Sequence, residues 1–377
     1  MDSIVRSFGS ASTAGMRRGA SLPTLLYQLM STPSKFRHPI FAPYMQDLTQ
    51  NLRRGFCQSS YRALAEVYYG FRSLNTRPSE QFGKILLDIA CQGMEHATAH
   101  DITSVMSSLA RLGIEPPDLF LEQIQKRVPE IIETFSQRDA CKFVYALAIL
   151  DAVAEHYRGH DRVHANEIYT DVIANKKFLD YLYTAERIDH RGMVSRASLW
   201  FSHRALMPIP LEKNRRSNSE YGLKKIFRAV GATIVPSLYI PKLDHVVDVS
   251  ARFREAQIHA EFDGPTHFVK SFDGQELFLN GSTIFQTALE ARHTSKLCMI
   301  LRVPFNVCDA HKQEDKPFWH GVCHQVEQKG KGSHLLLPNG NLCVIGNRTK
   351  RPENTLPSSL CIAANIGATR FGRNYYA

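Results

Sequence analysis

Apolar positions fall at helical spacing from about residue 59 to 190, then switch to the two-residue alternation of strands. The helical stretch also repeats itself. A shift of 38 positions lays Leu64, Val67, Phe71, Leu74, Pro78, Phe82 and Leu86 on Ile102, Val105, Leu109, Leu112, Pro116, Phe120 and Ile124. A second equal shift lays Asp101, Val105, Leu109, Ala110 and Leu112 on Asp139, Phe143, Leu147, Ala148 and Leu150, and a third matches more faintly. A helix pair that cannot bury its apolar face alone gains by stacking on a copy of itself, so the period predicts a short solenoid. An ordinary helical domain, whose 3.6-residue period aligns with itself by chance, is the alternative.

Beyond residue 217 the pattern predicts helix 220–230, strands 233–240, 243–253 and 256–262, helix 283–295 capped by Ser282, and strand 297–303. Along the third strand Ile258, Ala260 and Phe262 share one face, and His259, Glu261 and Asp263 the other. Gly264-Pro265 ends it, because proline donates nothing to a ladder and glycine permits the turn. The result is an acidic strand end with His267 just past it and Asp248 on the strand before. Phe318-Trp319 anchors a further helix that ends near Lys329-Gly330-Lys331-Gly332. Pieces 335–337 and 342–345 then flank a hairpin turn at Pro338-Asn339-Gly340-Asn341.

Charge divides the chain. The net is +10, of which residues 1–57 carry +5 and residues 329–377 carry +6, leaving −1 between them. Basic ends on a balanced body suit arms that follow a phosphate backbone, or equally solvated tails without a partner. Arg6, Arg17 and Arg18 among serines and threonines, with Asp2 the only acid before residue 47, match a mitochondrial targeting segment, with a plastid second. With 44% apolar residues the chain can bury a core, and no run of 18 apolar residues crosses a membrane. Scattered cysteines without a C-x-x-C pair argue for a reducing compartment and against a zinc site at Cys308, His311, Cys323 and His324.

Asp248, followed by E-x-D-G-P-x-H-F over Glu261–Phe268, resembles the RAP domain, a module of organellar RNA-binding proteins. The resemblance spans about residues 217–307 and implies a fold similar to the restriction-endonuclease superfamily. The phrases Ser107–Gly113 and Tyr145–Leu150 resemble octotricopeptide and heptatricopeptide repeats, which typically precede such a domain. The implied fold class is an α-helical repeat domain followed by an α/β domain. Boundaries fall at a basic arm 1–57, repeats 58–210, the RAP-like domain 211–328 and a basic tail 329–377.

The resemblance leaves three functions open. In a nuclease, Asp248, Glu261 and Asp263 would hold magnesium or manganese, His267 would act on the water or leaving group, and Glu220 would add an acid. The active superfamily has a lysine two residues after the glutamate, where this chain has Asp263. An acid there repels the phosphate. The second possibility is architectural: the carboxylates hold the strand end and the surface binds RNA. The third is a structural component of the mitochondrial ribosome, meeting rRNA and neighbouring ribosomal proteins, without cofactor, membrane or small-molecule substrate. The expected RNA contacts are Lys213, Arg215, Arg216, Lys224, Lys225 and Arg228 around the domain junction, and Lys329, Lys331, Arg348, Lys350, Arg351, Arg370 and Arg373 in the tail.

Overall fold

The computed structural model describes residues 42–158, 163–202, 204–206, 218–293, 299–311, 314–329, 332–345 and 362–363. The expected targeting segment, Lys213, Arg215, Arg216, Lys331, Arg348, Lys350, Arg351, Arg370 and Arg373 lie outside them. The first part is helical: α1 (Ala42–Arg53), α2 (Gln58–Ser73), α3 (Glu80–Gln92), α4 (Ala99–Leu112), α5 (Asp118–Ile131), α6 (Gln137–Arg158), α7 (Val163–Ala174), α8 (Lys176–Tyr183) and α9 (Ile188–Ser202). In succession α2, α4, α6 and α9 pack side by side, while α3, α5 and α7 form a second row. Helices α3 and α5 begin 38 residues apart, at Glu80 and Asp118, as do α4 and α6, at Ala99 and Gln137. Contacts between successive helices recur at similar separation: Arg62 reaches Asp101 at 3.3 Å, and His100 reaches Asp139 at 3.2 Å.

Two expected boundaries move. Helix α1 falls inside the supposed arm 1–57, yet its Leu48 and Leu52 are buried in the helical core. An apolar pair at i, i+4 on a short segment needs only one neighbour to cover it, and α2 supplies that neighbour.

The second part is α+β. It comprises α10 (Asn218–Ala229), β1 (Thr233–Val235), β2 (Tyr239–Ile240), β3 (His245–Val246), β4 (Val249–Phe253), β5 (Ala256–Asp263), β6 (Phe268–Lys270) and β7 (Glu276–Leu279). After these come α11 (Gly281–His293), β8 (Met299–Pro304), α12 (Phe305–Ala310), α13 (Lys316–Lys329), β9 (Gly332–Leu336), β10 (Leu342–Ile345) and β11 (Ile362–Ala363). Six strands form one mixed sheet in the order β1-β4-β5-β8-β9-β10. Strands β4 and β5 are antiparallel, while β5, β8 and β9 run parallel, linked by helical crossovers. The boundary expected at 328 therefore runs through the sheet. Residues 332–345 are two of its strands, and only long-range pairing with β8 reveals that.

Each of the expected strands 233–240 and 243–253 is broken in two. Pro236 cannot donate to the ladder, so β1 stops at Val235, and β2 pairs with β3 in a separate ribbon. Asn280, and not Ser282, caps α11, its Oδ1 accepting from the Thr283 N–H at 2.8 Å. One face of the sheet packs on α10, α12 and α13, burying Leu223, Phe227, Ile258, Ala260, Leu301 and Trp319. The other face meets α11, which lies against α4 and α6, so the helical part and this side of the sheet share one continuous core. No helix among the described residues is long and apolar enough to cross a membrane.

Candidate functional site

Strand β5 turns Ile258 and Ala260 toward the α10–α13 face, as the alternation requires, and His259, Glu261 and Asp263 toward α11. The acidic face is not at the surface. Asp263 and Glu290 have no exposed area, and Glu261 has 7%. Burial of so many carboxyls demands a cation, and the neighbouring strand supplies it. Glu261 and Arg302 are partners across the parallel β5–β8 pair, which brings the guanidinium onto the same face. Arg302 Nε donates to Asp263 Oδ2 at 2.9 Å and Nη2 to Oδ1 at 2.9 Å, a bidentate fork. Its remaining nitrogen, Nη1, meets Glu290 Oε2 of α11 at 3.3 Å. Burial opposes the charge on Arg302, but Asp263 and Glu290 outweigh it and raise its pKa.

His245 of β3 closes the other side, its Nε2 2.8 Å from Glu261 Oε1 and 3.4 Å from Glu290 Oε1. Burial pulls the His245 pKa down, yet the Glu261 hydrogen bond and the two carboxylate charges more than reverse it, and the net shift is upward. Asp248 sits in the gap between β3 and β4 and accepts the Phe262 N–H at 2.9 Å, holding the strand end. Burial raises its pKa against that bond. His267 lies 3.3 Å from Asp263, and its Nδ1 hydrogen-bonds Thr283 Oγ1 at 3.1 Å. Burial lowers its pKa.

The four expected nuclease residues thus come together, but not as a ligand shell. Both oxygens of Asp263 face Arg302, and Asp248 and His267 are spent on the strand end and on α11. Among the described residues the three donors within 4.8 Å of one another are His245, Glu261 and Glu290. Two of those donors belong to neither the motif nor its strand. A divalent cation in the expected set would sit against a buried guanidinium, so that set does not fit the ion. Glu220 is tied to Lys224 at 2.5 Å.

Arg302, Glu290 and His245 escaped the sequence reading. The signal was there: Arg302 is the only charge in the apolar run Met299–Pro304, and an arginine in a central strand needs buried acids. Thr283, Thr287 and Glu290, spaced i, i+4, i+7, are a buried polar stripe on α11.

The turn after β5 is the joint between the two parts of the chain. Arg111 Nη2 of α4 and Asn280 Nδ2 both donate to Thr266 O, at 3.0 and 2.7 Å. Asn75, after α2, bonds the Phe268 carbonyl through its side chain and accepts the Lys270 N–H at 2.9 Å. Arg77 lies over the Phe278 ring at 4.3 Å and bonds Leu112 O at 2.7 Å. Asp-Gly-Pro-Thr-His-Phe is therefore the structural centre of the molecule, charge-matched behind and clamped in front.

Of the expected RNA contacts that are described, Lys224 is paired with Glu220, and Lys329 Nζ donates to Leu342 O at 2.5 Å. Lys225, over the Tyr221 ring at 4.6 Å, and Arg228 are exposed on α10.

Glu261 links this centre to pH. Burial pushes its carboxyl from 4.5 up to about 7, against the His245 hydrogen bond. Between those values the folded chain holds a proton that the unfolded chain has released. The contribution to stability is therefore full below the window and lost as pH rises through it. Glu261→Gln removes that titration. Because it also removes the His245 partner, the expected outcome is a change with pH: its stability relative to the wild type should rise by about 2 kcal/mol between pH 5 and pH 8, read by urea unfolding at the two pH values. Equal differences at both would refute the linkage.

No protein-family model matches this chain, and no curated protein matches it in sequence.

Proposed function

We propose that this chain is an organellar RNA-binding protein in which a short helical-repeat array carries a RAP-like domain of restriction-endonuclease-like arrangement, and that its acidic centre is scaffold. Helices that start 38 residues apart and pack in two rows support the repeat reading. The antiparallel β4–β5 pair, followed by α11 and the parallel strand β8, supports the α/β reading. The observation that carries binding over cutting is Asp263. It stands where an active superfamily member has its lysine, it is wholly buried, and Arg302 holds both its oxygens. Ribosomal RNA of the mitochondrion is the proposed target, because the net charge of +10 sits in ends suited to threading along phosphates. A second reading, metal-dependent RNA cleavage, draws on His245, Glu261 and Glu290, which could converge on an ion if Arg302 swung away.

Purified chain incubated with labelled single-stranded RNA and manganese decides between them. Retention of intact RNA is expected, with no cleavage above an Asp248→Ala control. Manganese-dependent cleavage lost in that control would overturn the scaffold reading. Co-sedimentation with ribosomal particles in high magnesium is the companion measurement, and a chain that stays light is a free RNA factor instead.

A further inference from the structure

The helical part presents cations that no ion pair among the described residues holds, and one of them, Arg111, reaches the joint. Arg72 is in the last turn of α2, and Arg111 in the last turn of α4. Arg138 and Lys142 lie four residues apart on α6 and so share a face. Arg72, Arg111 and Lys142 are half-buried, and none of them forms an ion pair with an acid among the described residues. The acids nearby are spent elsewhere: Asp139 on His100 and Ser136, Asp189 on Arg187, Asp263 on Arg302. Arg111 is held in place by Thr266 O. Burial lowers the Arg111 pKa, and the like charge of Arg72 lowers it further. Burial also lowers that of Lys142, and Arg138 and Arg72 add to the shift against the smaller opposing pull of Asp139. Cations left half-desolvated beside one another raise the free energy of the unbound protein, and a polyanion laid across them relieves it. Tyr69, one turn before Arg72 on α2, is 56% exposed beside them.

We propose that Arg72, Arg111, Lys142 and Arg138, with Tyr69, form a seat for the phosphodiester backbone of single-stranded RNA along the seam between α2, α4, α6 and the Gly264–His267 turn. The proposal rests on the RNA-binding reading above and locates it on the body of the protein, away from the basic ends. The cations take successive phosphates. The exposed tyrosine offers a ring on which an unstacked base can lie, which favours a single strand over a duplex or an acidic peptide. The face of the motif that serves RNA is thus its backbone turn, which fixes Arg111, and not its carboxylates.

The test uses the full chain and a short mixed-sequence single-stranded RNA, with affinity followed over a salt titration. Arg72→Gln with Lys142→Gln removes two cations that make no bond within the described fold. The slope of log affinity against log salt should fall by roughly 1.4, about 0.7 for each lost contact, and affinity should drop roughly tenfold at low salt. Tyr69→Ala should weaken binding while leaving the slope unchanged, since a stacked ring releases no counterion. Lys126→Gln with Lys176→Gln, the same charge change on exposed positions of α5 and α8, should leave both quantities near wild type. If the two double variants behave alike, the seat is wrong while RNA binding stands. A wild-type chain that fails to hold RNA at low salt overturns the RNA reading and the seat with it. Competition by polyglutamate as strong as by RNA of equal charge would identify an acidic-peptide surface and overturn the seat.

Discussion

Arg302→Met should cost about 3–5 kcal/mol of folding stability, read as a fall in the urea midpoint at neutral pH. The substitution keeps most of the side-chain volume and removes the only buried cation on β8. Asp263 and Glu290, with no exposed surface, would then lose the guanidinium that both contact and keep only the imidazoles of His267 and His245 as basic neighbours among the described ion pairs. The loss is electrostatic, so it should be recoverable. Adding Asp263→Asn and Glu290→Gln removes the orphaned charges, and the triple variant should regain much of the stability. Arg302→Lys should not suffice, because one ammonium cannot supply the fork to Asp263 and still reach Glu290. Wild-type stability in Arg302→Met would sink the scaffold account, since it would mean that the acids are not held by this residue.

Gly281→Ala is expected to be strongly destabilising for the addition of a single methyl group. A Cβ at that position would lie 1.9 Å from Ala110 O and 2.8 Å from Ile149 Cγ2, the first a backbone atom of α4 that cannot turn aside. Relief requires α11 to back away from α4 and α6, which opens the shared core and draws the cap residue Asn280 off Thr266. About 2–4 kcal/mol is the expected loss, measured by thermal or urea unfolding. Proteolysis should then reach residues near the joint that the wild type protects. Gly222→Ala on α10, where nothing lies within 4 Å, is the matched control and should be neutral or slightly stabilising. A Gly281→Ala protein as stable as that control would show that α11 is not docked as described.

Local pattern carried much of this architecture. Periodicity marked residues 59–190 as helical, and within them the helices starting at Glu80 and Asp118, and at Ala99 and Gln137, are spaced by the 38 residues of the sequence shift. The alternation of β5 set which side chains share a face, and the positions of α10, α11 and β8 followed from periodicity to within a few residues. Asp248, Glu261, Asp263 and His267 were recognisable as one cluster before any coordinates. Their depth was not, because alternation says which face a residue is on and never what covers that face. The cover is α11 and, behind it, the helical part.

Pairing between distant segments was equally invisible. Nothing local distinguishes a strand that joins β8 from a strand-like piece of tail, so 332–345 read as tail. Nothing local to Leu48 and Leu52 tells a docked helix from an arm.

What the sequence determined alone was the helical stretch, the positions of α10, β5, α11 and β8, the faces that β5 owns and an acidic strand end beside a Gly-Pro turn, because all of these follow from neighbours a few residues apart. Only the tertiary structure decided that Asp263 is matched by Arg302, 39 residues away. It alone decided that the turn is gripped by Asn75 and Arg111, and that Arg72 and Lys142 form no ion pair among the described residues. Charge balance in a folded protein is settled between residues close in space, and closeness in space is what a linear chain does not record.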